Sequence, residues 1–352
     1  MYRISLFNTM AKTIEIYEGM PVIEASDSKD LEKKLEKMEG IKPPFAVKIF
    51  RRTKIIKKDA FSSCTDIAAI LIPDSVTEIG NYAFDGCTGL TAVNIPDSVK
   101  KIGEYAFRRC TGLALVEIPN SVTEIGGEAF SGCTGLTSIC VSEGNPAYHS
   151  SGNCLIHTES NTLIIGCNNS VIPDSVTEIG NFAFSGCTGL TSVSIPDSVT
   201  EIGPVAFSRC TGLTSINIPD SVTKIGWCAF YGCTGLTSIN IPNSVTKIGG
   251  STFQGCMVLT SVNIGNSVTE IGDHAFCDCI GLTSVNIGNS VTKIGDNAFK
   301  GCTGLTSINI PDSVTEIGDY AFYGCTGLTS VNIGNSFTWI GDGAFEGCPG
   351  KP

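Results

Sequence analysis

The stretch AFYGCTGLTS occupies residues 229–238, and the same ten letters return at residues 321–330. A ten-residue identity within one chain indicates internal repeats, which have to be established before any other feature is interpreted. Cysteine follows phenylalanine by three residues throughout, so twelve of the 17 cysteines form one column. The phenylalanines of this pattern stand 23 residues apart in two runs, at positions 61, 84, 107 and 130, and then at 184, 207, 230, 253, 276, 299, 322 and 345. The chain is therefore built on a 23-residue unit.

One side of the unit predicts a β-strand. Within LTSINI, residues 236–241, Leu236, Ile239 and Ile241 follow the L-x-x-L-x-L spacing and are expected to face the core. Ser238 and Asn240 then face outward, and stacked units form a parallel sheet in register. The next residues, such as PDS at 219–221, supply turn geometry, and the serine is expected to hydrogen-bond the backbone of the bend.

The other side of the unit predicts a short helical turn. Ile225, Ala229, Phe230 and Cys233 recur at spacings of four, five and eight, which is typical of a helix with one apolar stripe. Each phenylalanine is expected to stack on those of the neighbouring units and form a spine with the cysteines. The predicted spine includes Phe84, Cys87, Phe107, Cys110, Phe230, Cys233, Phe253, Cys256, Phe322 and Cys325.

The cysteine column is predicted to contain buried thiols. In-register stacking holds equivalent Cβ atoms about 4.8 Å apart and parallel, whereas a disulfide needs about 3.8 Å and converging bonds. A buried thiol behaves as a small hydrophobic group. The column is therefore interpreted as packing rather than chemistry.

The repeat resembles the BspA-like leucine-rich repeats with their 23-residue unit, over residues 56–348. The resemblance implies an α/β repeat solenoid with one parallel β-sheet face and short helical turns on the opposite face. It also implies a non-enzymatic surface adhesin that binds host extracellular proteins or other cells. The corresponding location is the cell surface or the secreted fraction.

Two regions depart from the repeat. Residues 1–44 are interpreted as a small α+β cap, with a hairpin over residues 13–25 and a helix that begins after Asp27, shares Leu31, Leu35 and Met38 on one face, and ends at Gly40. Residues 45–352 are assigned to the solenoid. They include an irregular rung at about 142–170, where the segments CLIH and TLII predict a projecting hairpin.

Charge and hydropathy restrict the partners and the compartment. The net charge of −11 disfavours nucleic acid, whose binding depends on neutralising phosphates. No apolar run reaches the 18 or so residues that span a bilayer. Lys12, Glu15 and Glu18 interrupt the apolar segment that a signal peptide requires, so a cytoplasmic location is the alternative. One basic run is interpreted as a solvated capping surface or as the site of an acidic partner; it comprises Lys48, Arg51, Arg52, Lys54, Lys57 and Lys58.

Residues suited to catalysis are scarce. The chain has three histidines and no phosphate-binding loop or hydrolase motif, so no catalytic residue and no cofactor are expected, and the chain is not predicted to be an enzyme. Metal ligand types meet in the irregular rung, at Cys140, His149, Cys154, His157 and Cys167, and again at His274, Cys277 and Cys279. Their spacing matches no standard zinc motif, and packing is the favoured interpretation over a metal or a disulfide between Cys154 and Cys167.

Two surfaces are candidates for a partner. The outward strand positions give a neutral, hydrogen-bonding face that includes Ser238, Asn240, Asn263, Asn286 and Asn309. The turn side carries aromatic residues of the kind that anchor interfaces, namely Trp227, Tyr231, Tyr320 and Tyr323. Both surfaces have a simpler interpretation, as a soluble cover for the sheet and as unconstrained variation.

The leading hypothesis is a protein that binds a protein or another macromolecule. The alternative is an intracellular protein–protein interaction scaffold, in which free thiols are well tolerated. After Cys348 the sequence holds only PGKP, so the last turn lacks a strand. End-to-end self-association at this C-terminus is an additional expectation.

Overall fold

The computed structural model describes residues 20–36 and 43–350. The chain divides into two units: unit 1 comprises Met1–Glu159 with Ile165–Asn169, and unit 2 comprises Ser160–Ile164 with Ser170–Pro352. The boundary predicted at residue 44 stays a prediction.

Unit 1 contains helix α1 (Ser28–Leu35) and two kinds of strand. Its strands are β1 (Val22–Ala25), β2 (Phe45–Ile49), β3 (Ile55–Ile56), β4 (Ile67–Leu71), β5 (Glu78–Ile79), β6 (Ala92–Asn94), β7 (Lys101–Ile102), β8 (Leu115–Ile118), β9 (Glu124–Ile125), β10 (Ser138–Val141), β11 (Tyr148–Ser151) and β12 (Cys154–His157). Longer strands form the sheet β1-β2-β4-β6 and the pair β8-β10, and two-residue strands form the sheet β3-β5-β7-β9. Each coil of the chain thus contributes one long and one short strand.

Unit 2 repeats this arrangement from β13 onward. Its strands are β13 (Thr162–Ile165), β14 (Glu178–Ile179), β15 (Ser192–Ser194), β16 (Glu201–Ile202), β17 (Ser215–Asn217), β18 (Lys224–Ile225), β19 (Ser238–Ile241), β20 (Lys247–Ile248), β21 (Ser261–Ile264), β22 (Glu270–Ile271), β23 (Ser284–Asn286), β24 (Lys293–Ile294), β25 (Ser307–Ile310), β26 (Glu316–Ile317), β27 (Ser330–Ile333) and β28 (Trp339–Ile340). The short strands from β13 to β28 form one continuous sheet, and the long strands form the groups β15-β17, β19-β21-β23 and β25-β27. The fold is therefore a parallel β-solenoid of stacked coils.

The coils stack in register because the sequence repeats every 23 residues. Ser238 pairs with Ser261 and Ile241 with Ile264, so like side chains meet along the stack. In β19, β21 and β22, isoleucine and valine point inward and are buried, whereas serine, asparagine and glutamate point outward. The two strand types enclose a core of identical layers.

The predicted helical turns are wrong. The segment between the short and the long strand contains two residues per coil with left-handed backbone, such as Tyr82 at φ 57° and Gly86 at φ 72°. Backbone N–H groups alternate between two kinds of acceptor: that of Ala83 donates to Gly80 three residues back (3.2 Å), and that of Phe84 donates to Ala106 in the next coil (2.8 Å). Left-handed residues interrupt a right-handed helix, so tight turns bonded to the next coil replace it.

The phenylalanine spine is confirmed. Ring centroids of neighbouring phenylalanines lie 5.1–5.6 Å apart in unit 1 and 5.0–5.3 Å apart in unit 2, with nearly parallel planes. The rings from Phe61 to Phe107 and from Phe184 to Phe322 are fully buried. Offset-stacked rings at this separation add to the energy of burial.

In the described part of the N-terminal region, residues 20–36 and 43–44, the predicted α+β cap is not borne out. The Asp27 side chain accepts the backbone N–H of Asp30 (2.9 Å) and caps the predicted helix, whereas Met38 and Gly40 lie outside the described residues. However, β1 pairs in parallel with β2, and β2 with β4, so both strands extend the coil sheet. The predicted hairpin stays a prediction, because its first half lies outside the described residues. Additional strands satisfy the unpaired backbone groups at a sheet edge.

The irregular rung of unit 1 carries an antiparallel hairpin of β11 and β12. Gly152 and Asn153 form its two-residue turn with φ values of 58° and 57°, as a type I′ turn requires. The sequence identified both CLIH and TLII as strands, which are β12 and β13, but it did not identify YHSS at residues 148–151 as a further strand. TLII is β13, whose Thr162 and Leu163 pair in parallel with β14. Of the residues described, no helix is long and apolar enough to cross a bilayer.

Candidate functional site

The polar face of unit 2 consists of the outward side chains of its long strands. All of these side chains are exposed, and they comprise Ser192, Ser194, Ser215, Asn217, Ser238, Asn240, Ser261, Asn263, Ser284, Asn286, Ser307, Asn309, Ser330 and Asn332. Period-2 alternation places them outside because the residues between them are apolar and pack in the core. The five residues predicted from the sequence on this face are all present in it.

Asparagine side chains of the polar face form hydrogen-bonded ladders. Nδ2 of Asn263 donates to Oδ1 of Asn240 (2.7 Å), and Nδ2 of Asn286 donates to Oδ1 of Asn263 (3.0 Å). Asn332 and Asn309 make the same contact at 2.6 Å. A primary amide has two N–H groups and two acceptor lone pairs, so each ladder member still offers a donor and an acceptor to solvent. The ladder fixes the direction in which these groups point.

A groove lies at the C-terminal ends of β25 and β27. It has a volume of about 560 Å³, within the range of ligand pockets, and is open to solvent. Its lining comprises Asn289, Asn309, Ile310, Pro311, Asp312, Ser313, Asn332, Ile333, Gly334 and Asn335. The groove was not identified from the sequence, because it is formed by residues of different coils.

The serine of the PDS turn behaves differently from coil to coil. Oγ of Ser198 donates to the carbonyl of Val176 (2.7 Å), so the serine does bond backbone, but the acceptor lies in the preceding coil and not in its own bend. Ser75, Ser98, Ser121 and Ser244 make equivalent bonds. The prediction is wrong for Ser221 and Ser313, whose buried hydroxyl groups have no hydrogen-bond partner among the described residues.

The predicted aromatic pairs differ in geometry. Tyr320 and Tyr323 are 42% and 38% exposed and contact each other edge to face, with centroids 5.6 Å apart. Lys300 places its Nζ 5.6 Å from the centre of the Tyr323 ring. Trp227 is 54% exposed, and no ring contact joins it to Tyr231 in the described part of the chain. The structure thus brings together one of the two proposed pairs.

A family model described as the BspA type leucine-rich repeat region, in six copies, matches residues 53–170, 163–283 and 269–350. The chain belongs to the BspA-type leucine-rich repeat family. No curated protein sequence matches it.

Solved bacterial structures resemble this BspA-type chain. A leucine-rich repeat protein from Bacteroides ovatus is 32% identical, with 87% of this chain and 76% of that chain covered and a TM-score of 0.56. A leucine-rich repeat protein from Eubacterium ventriosum is 23% identical, with coverage of 94% and 90% and a TM-score of 0.72. A leucine rich cell surface protein from Faecalibacterium prausnitzii is 26% identical, with coverage of 85% and 82% and a TM-score of 0.51.

Unit 1 of the BspA-type chain contains a polar aromatic cluster that sequence reasoning did not single out. The rings of Tyr82 and Tyr105 stack with centroids 4.6 Å apart, and the Arg108 guanidinium lies 4.7 Å from the Tyr105 ring. Arg108 also donates to both carboxylate oxygens of Asp85, at 2.9 and 2.8 Å. Hydrogen bonding to Glu128, together with burial, raises the pKa of Tyr105 to about 12. The sequence did contain a signal for this cluster: Tyr82 and Tyr105 are 23 residues apart, as are Asp85 and Arg108, so each pair meets in neighbouring coils.

Cysteine chemistry is suppressed in the BspA-type core. Burial raises the pKa of Cys133, Cys256 and Cys325 to about 12, and raises the pKa of Cys233 well above its ordinary value. Since the thiolate is the nucleophile, these groups are unreactive at neutral pH.

Two of the five candidate metal ligands of the irregular rung are packed in the core. Cys154 and Cys167 are buried, and their thiols contact the carbonyl oxygens of Gly152 and Asn153, both at 3.6 Å. Within residues 20–36 and 43–350, no three His, Cys, Asp or Glu side chains are grouped to hold a metal ion.

Proposed function

We propose that this chain is a non-enzymatic binding protein that presents the polar face of unit 2 to another macromolecule at the cell surface. The asparagine ladder carries the proposal. Its amide groups are held in one direction before a partner arrives, so binding costs little ordering of side chains. The partner is a protein or another polymer whose hydrogen-bonding groups repeat along its length.

The family and one relative support the location. The protein from Faecalibacterium prausnitzii is called a cell surface protein. The exposed tyrosine pair and Trp227 lie in the turn segments and not on the polar face, and they offer a second surface with side chains of the type that dominate interface energies.

The test replaces Asn240, Asn263 and Asn286 together with serine. Serine already occupies this column at Ser194, which pairs with Asn217, so the strands should be retained. The labelled full chain is applied to intact cells and to immobilised extracellular proteins and polysaccharides. We expect the triple variant to bind the recognised surface at least about tenfold more weakly, because several directed hydrogen bonds are lost. A variant with Lys293→Ser and Glu316→Ser, on the short-strand sheet, is the matched control and should bind as the original chain does. Equal binding by the triple variant would exclude the polar face.

An intracellular interaction scaffold is the second candidate. The exposed thiol of Cys140 favours it, since such a group persists best in a reducing compartment. Protease applied to intact source cells separates the two candidates: degradation of the chain supports the surface location, and complete protection supports the scaffold.

A further inference from the structure

The basic segment consists of residues 50–58 of unit 1, with the sequence FRRTKIIKK. Its five cationic side chains, Arg51, Arg52, Lys54, Lys57 and Lys58, are all exposed. None of them forms an ion pair with any residue the structure describes. In a chain of net charge −11, this segment concentrates positive charge at one place.

Two apolar side chains are exposed within the same segment. Ile55 is 50% exposed, and Phe50 is 36% exposed with Nζ of Lys34 lying 4.6 Å from the centre of its ring. Ile55 pairs in register with Glu78, and Glu78 pairs with Lys101. The outward position of this short strand is therefore charged in the following coils, and an exposed isoleucine is a departure from the pattern of the chain itself.

Protection of a sheet edge explains only some of these residues. β3 is the edge strand of its sheet, and exposed lysines discourage pairing with other chains. Lys57 stands in the column of Gly80, where a Cβ would lie 2.7 Å from the Ile56 carbonyl oxygen of the preceding coil. As β3 is the first strand of this sheet, a lysine fits at residue 57. Edge protection does not explain Ile55 and Phe50, since exposed apolar side chains make an edge more adhesive.

We propose that the basic segment binds an anionic lipid surface. The five cations would lie near the phosphate groups of the lipids, and Phe50 and Ile55 would enter the boundary between headgroups and acyl chains. Clusters of four to eight basic residues are attracted to anionic membranes, and apolar side chains add affinity through burial. A soluble polyanion would satisfy the cations but offers no apolar phase for Ile55 and Phe50. This attachment is peripheral and independent of the polar face of unit 2.

Flotation of the full chain with vesicles tests the charge requirement. We expect binding to mixed vesicles of phosphatidylglycerol and phosphatidylcholine, weakening with added salt, and no binding to phosphatidylcholine alone. The variant Arg51→Ser with Arg52→Ser should partition about 30-fold less, since each basic residue contributes roughly fivefold. The variant Lys247→Ser with Lys293→Ser removes two exposed lysines from unit 2 and should partition unchanged. Equal binding to both kinds of vesicle, or to neither, would overturn the proposal.

A second comparison separates lipid from a soluble polyanion. Phe50→Ser with Ile55→Ser keeps every charge and should lower partitioning into the mixed vesicles about tenfold or more, but leave binding to dextran sulfate beads unchanged. Ile55→Ser alone should lower partitioning by a smaller factor, and its thermal melt verifies folding at a half-exposed position. Unchanged vesicle binding by folded variants would assign the segment to a polyanion and refute the lipid proposal.

Discussion

At the scale of single residues, a hydrogen bond as well as size selects the buried cysteine. Sγ of Cys256 donates to the carbonyl oxygen of Phe230 in the preceding coil at 3.3 Å. The same oxygen accepts the backbone N–H of Cys233 at 3.2 Å. The thiol therefore satisfies the second lone pair of a buried carbonyl, which alanine or valine could not do. The sequence indicated a small apolar group, but the acceptor belongs to another coil and is defined only when the coils stack.

Another residue-scale feature is the left-handed column that stops the predicted helix. It contains Val205 at φ 60° and Asn297 at φ 55°. A β-branched residue is strained in this region, whereas asparagine adopts it readily.

Replacement of Val205 by asparagine should stabilise the protein. We expect a gain of roughly 1 kcal/mol in the free energy of unfolding, because the left-handed strain is relieved. Denaturant titration measures this gain. The reciprocal change Asn297→Val, in the same column, should lose a similar amount. A lower stability of Val205→Asn would show that the valine side chain contributes more by packing than its backbone costs.

At the scale of the element, the coil is stabilised mainly by contacts with its two neighbours. Phe253 stacks on Phe230 and on Phe276, both at 5.3 Å between centroids. On the outer side of the short strands, Lys247 bonds Glu270 at 2.6 Å, and Glu201 bonds Lys224. These exposed ion pairs contribute little to stability, so the buried phenylalanine spine stabilises the stack of coils far more than they do.

Truncation of a central spine residue should be costly. Phe253→Ala is expected to lower the free energy of unfolding by roughly 3 to 5 kcal/mol, through lost burial and the cavity left behind. Thermal and denaturant unfolding measure the change. Phe345→Ala provides the comparison, because that ring is also buried but has one stacked neighbour, Phe322, among the described residues. Phe345→Ala should lower the free energy of unfolding clearly less than Phe253→Ala does. Equal decreases would argue that stacking on neighbouring rings does not stabilise the spine.

At the scale of the whole molecule, the repeat reproduces one local property, the raised pKa of a buried thiol, in many coils. Ten thiols of the cysteine column have a pKa raised by burial: Cys64, Cys87, Cys110, Cys133, Cys210, Cys233, Cys256, Cys279, Cys302 and Cys325. The folded state then holds protons that the unfolded chain releases at a pH near 9. Stability from these groups is complete below that pH and is lost as the pH rises through the folded values.

Alkaline pH should therefore destabilise the protein. We expect the free energy of unfolding to fall between pH 9 and pH 12, the unfolded and folded pKa values of Cys256. Each thiol contributes up to about 1.4 kcal/mol per pH unit. Urea titrations at pH 7.5 and pH 10 measure the slope. Cys256→Ser lacks one titrating group. The difference in free energy of unfolding between the original chain and this variant should therefore be smaller at pH 10 than at pH 7.5. A constant difference would show that Cys256 does not titrate between folded and unfolded states.

The repeat, the family, the inward and outward strand positions and the phenylalanine spine all follow from the sequence, because a 23-residue period forces like residues to meet along a stack. The same sequence predicts a helix from Ile225, Ala229, Phe230 and Cys233, since spacing alone does not distinguish a helix from turns that bury the same side chains. Tertiary structure decides this point: hydrogen bonds such as that of Phe84 N–H to Ala106 join neighbouring coils and compensate for the left-handed residues.

The surface features, too, follow partly from the sequence and partly from the tertiary structure. The outward Asn240 and Asn263 follow from strand alternation, but their alignment into a ladder depends on the stacking of coils. The groove at β25 and β27 also combines residues 20 or more positions apart in the sequence. The exposure of Ile55 depends on which strand begins a sheet and on what covers it. Sequence periodicity thus determined what each coil contains, and the packing of coils determined which of those side chains remain available to a partner.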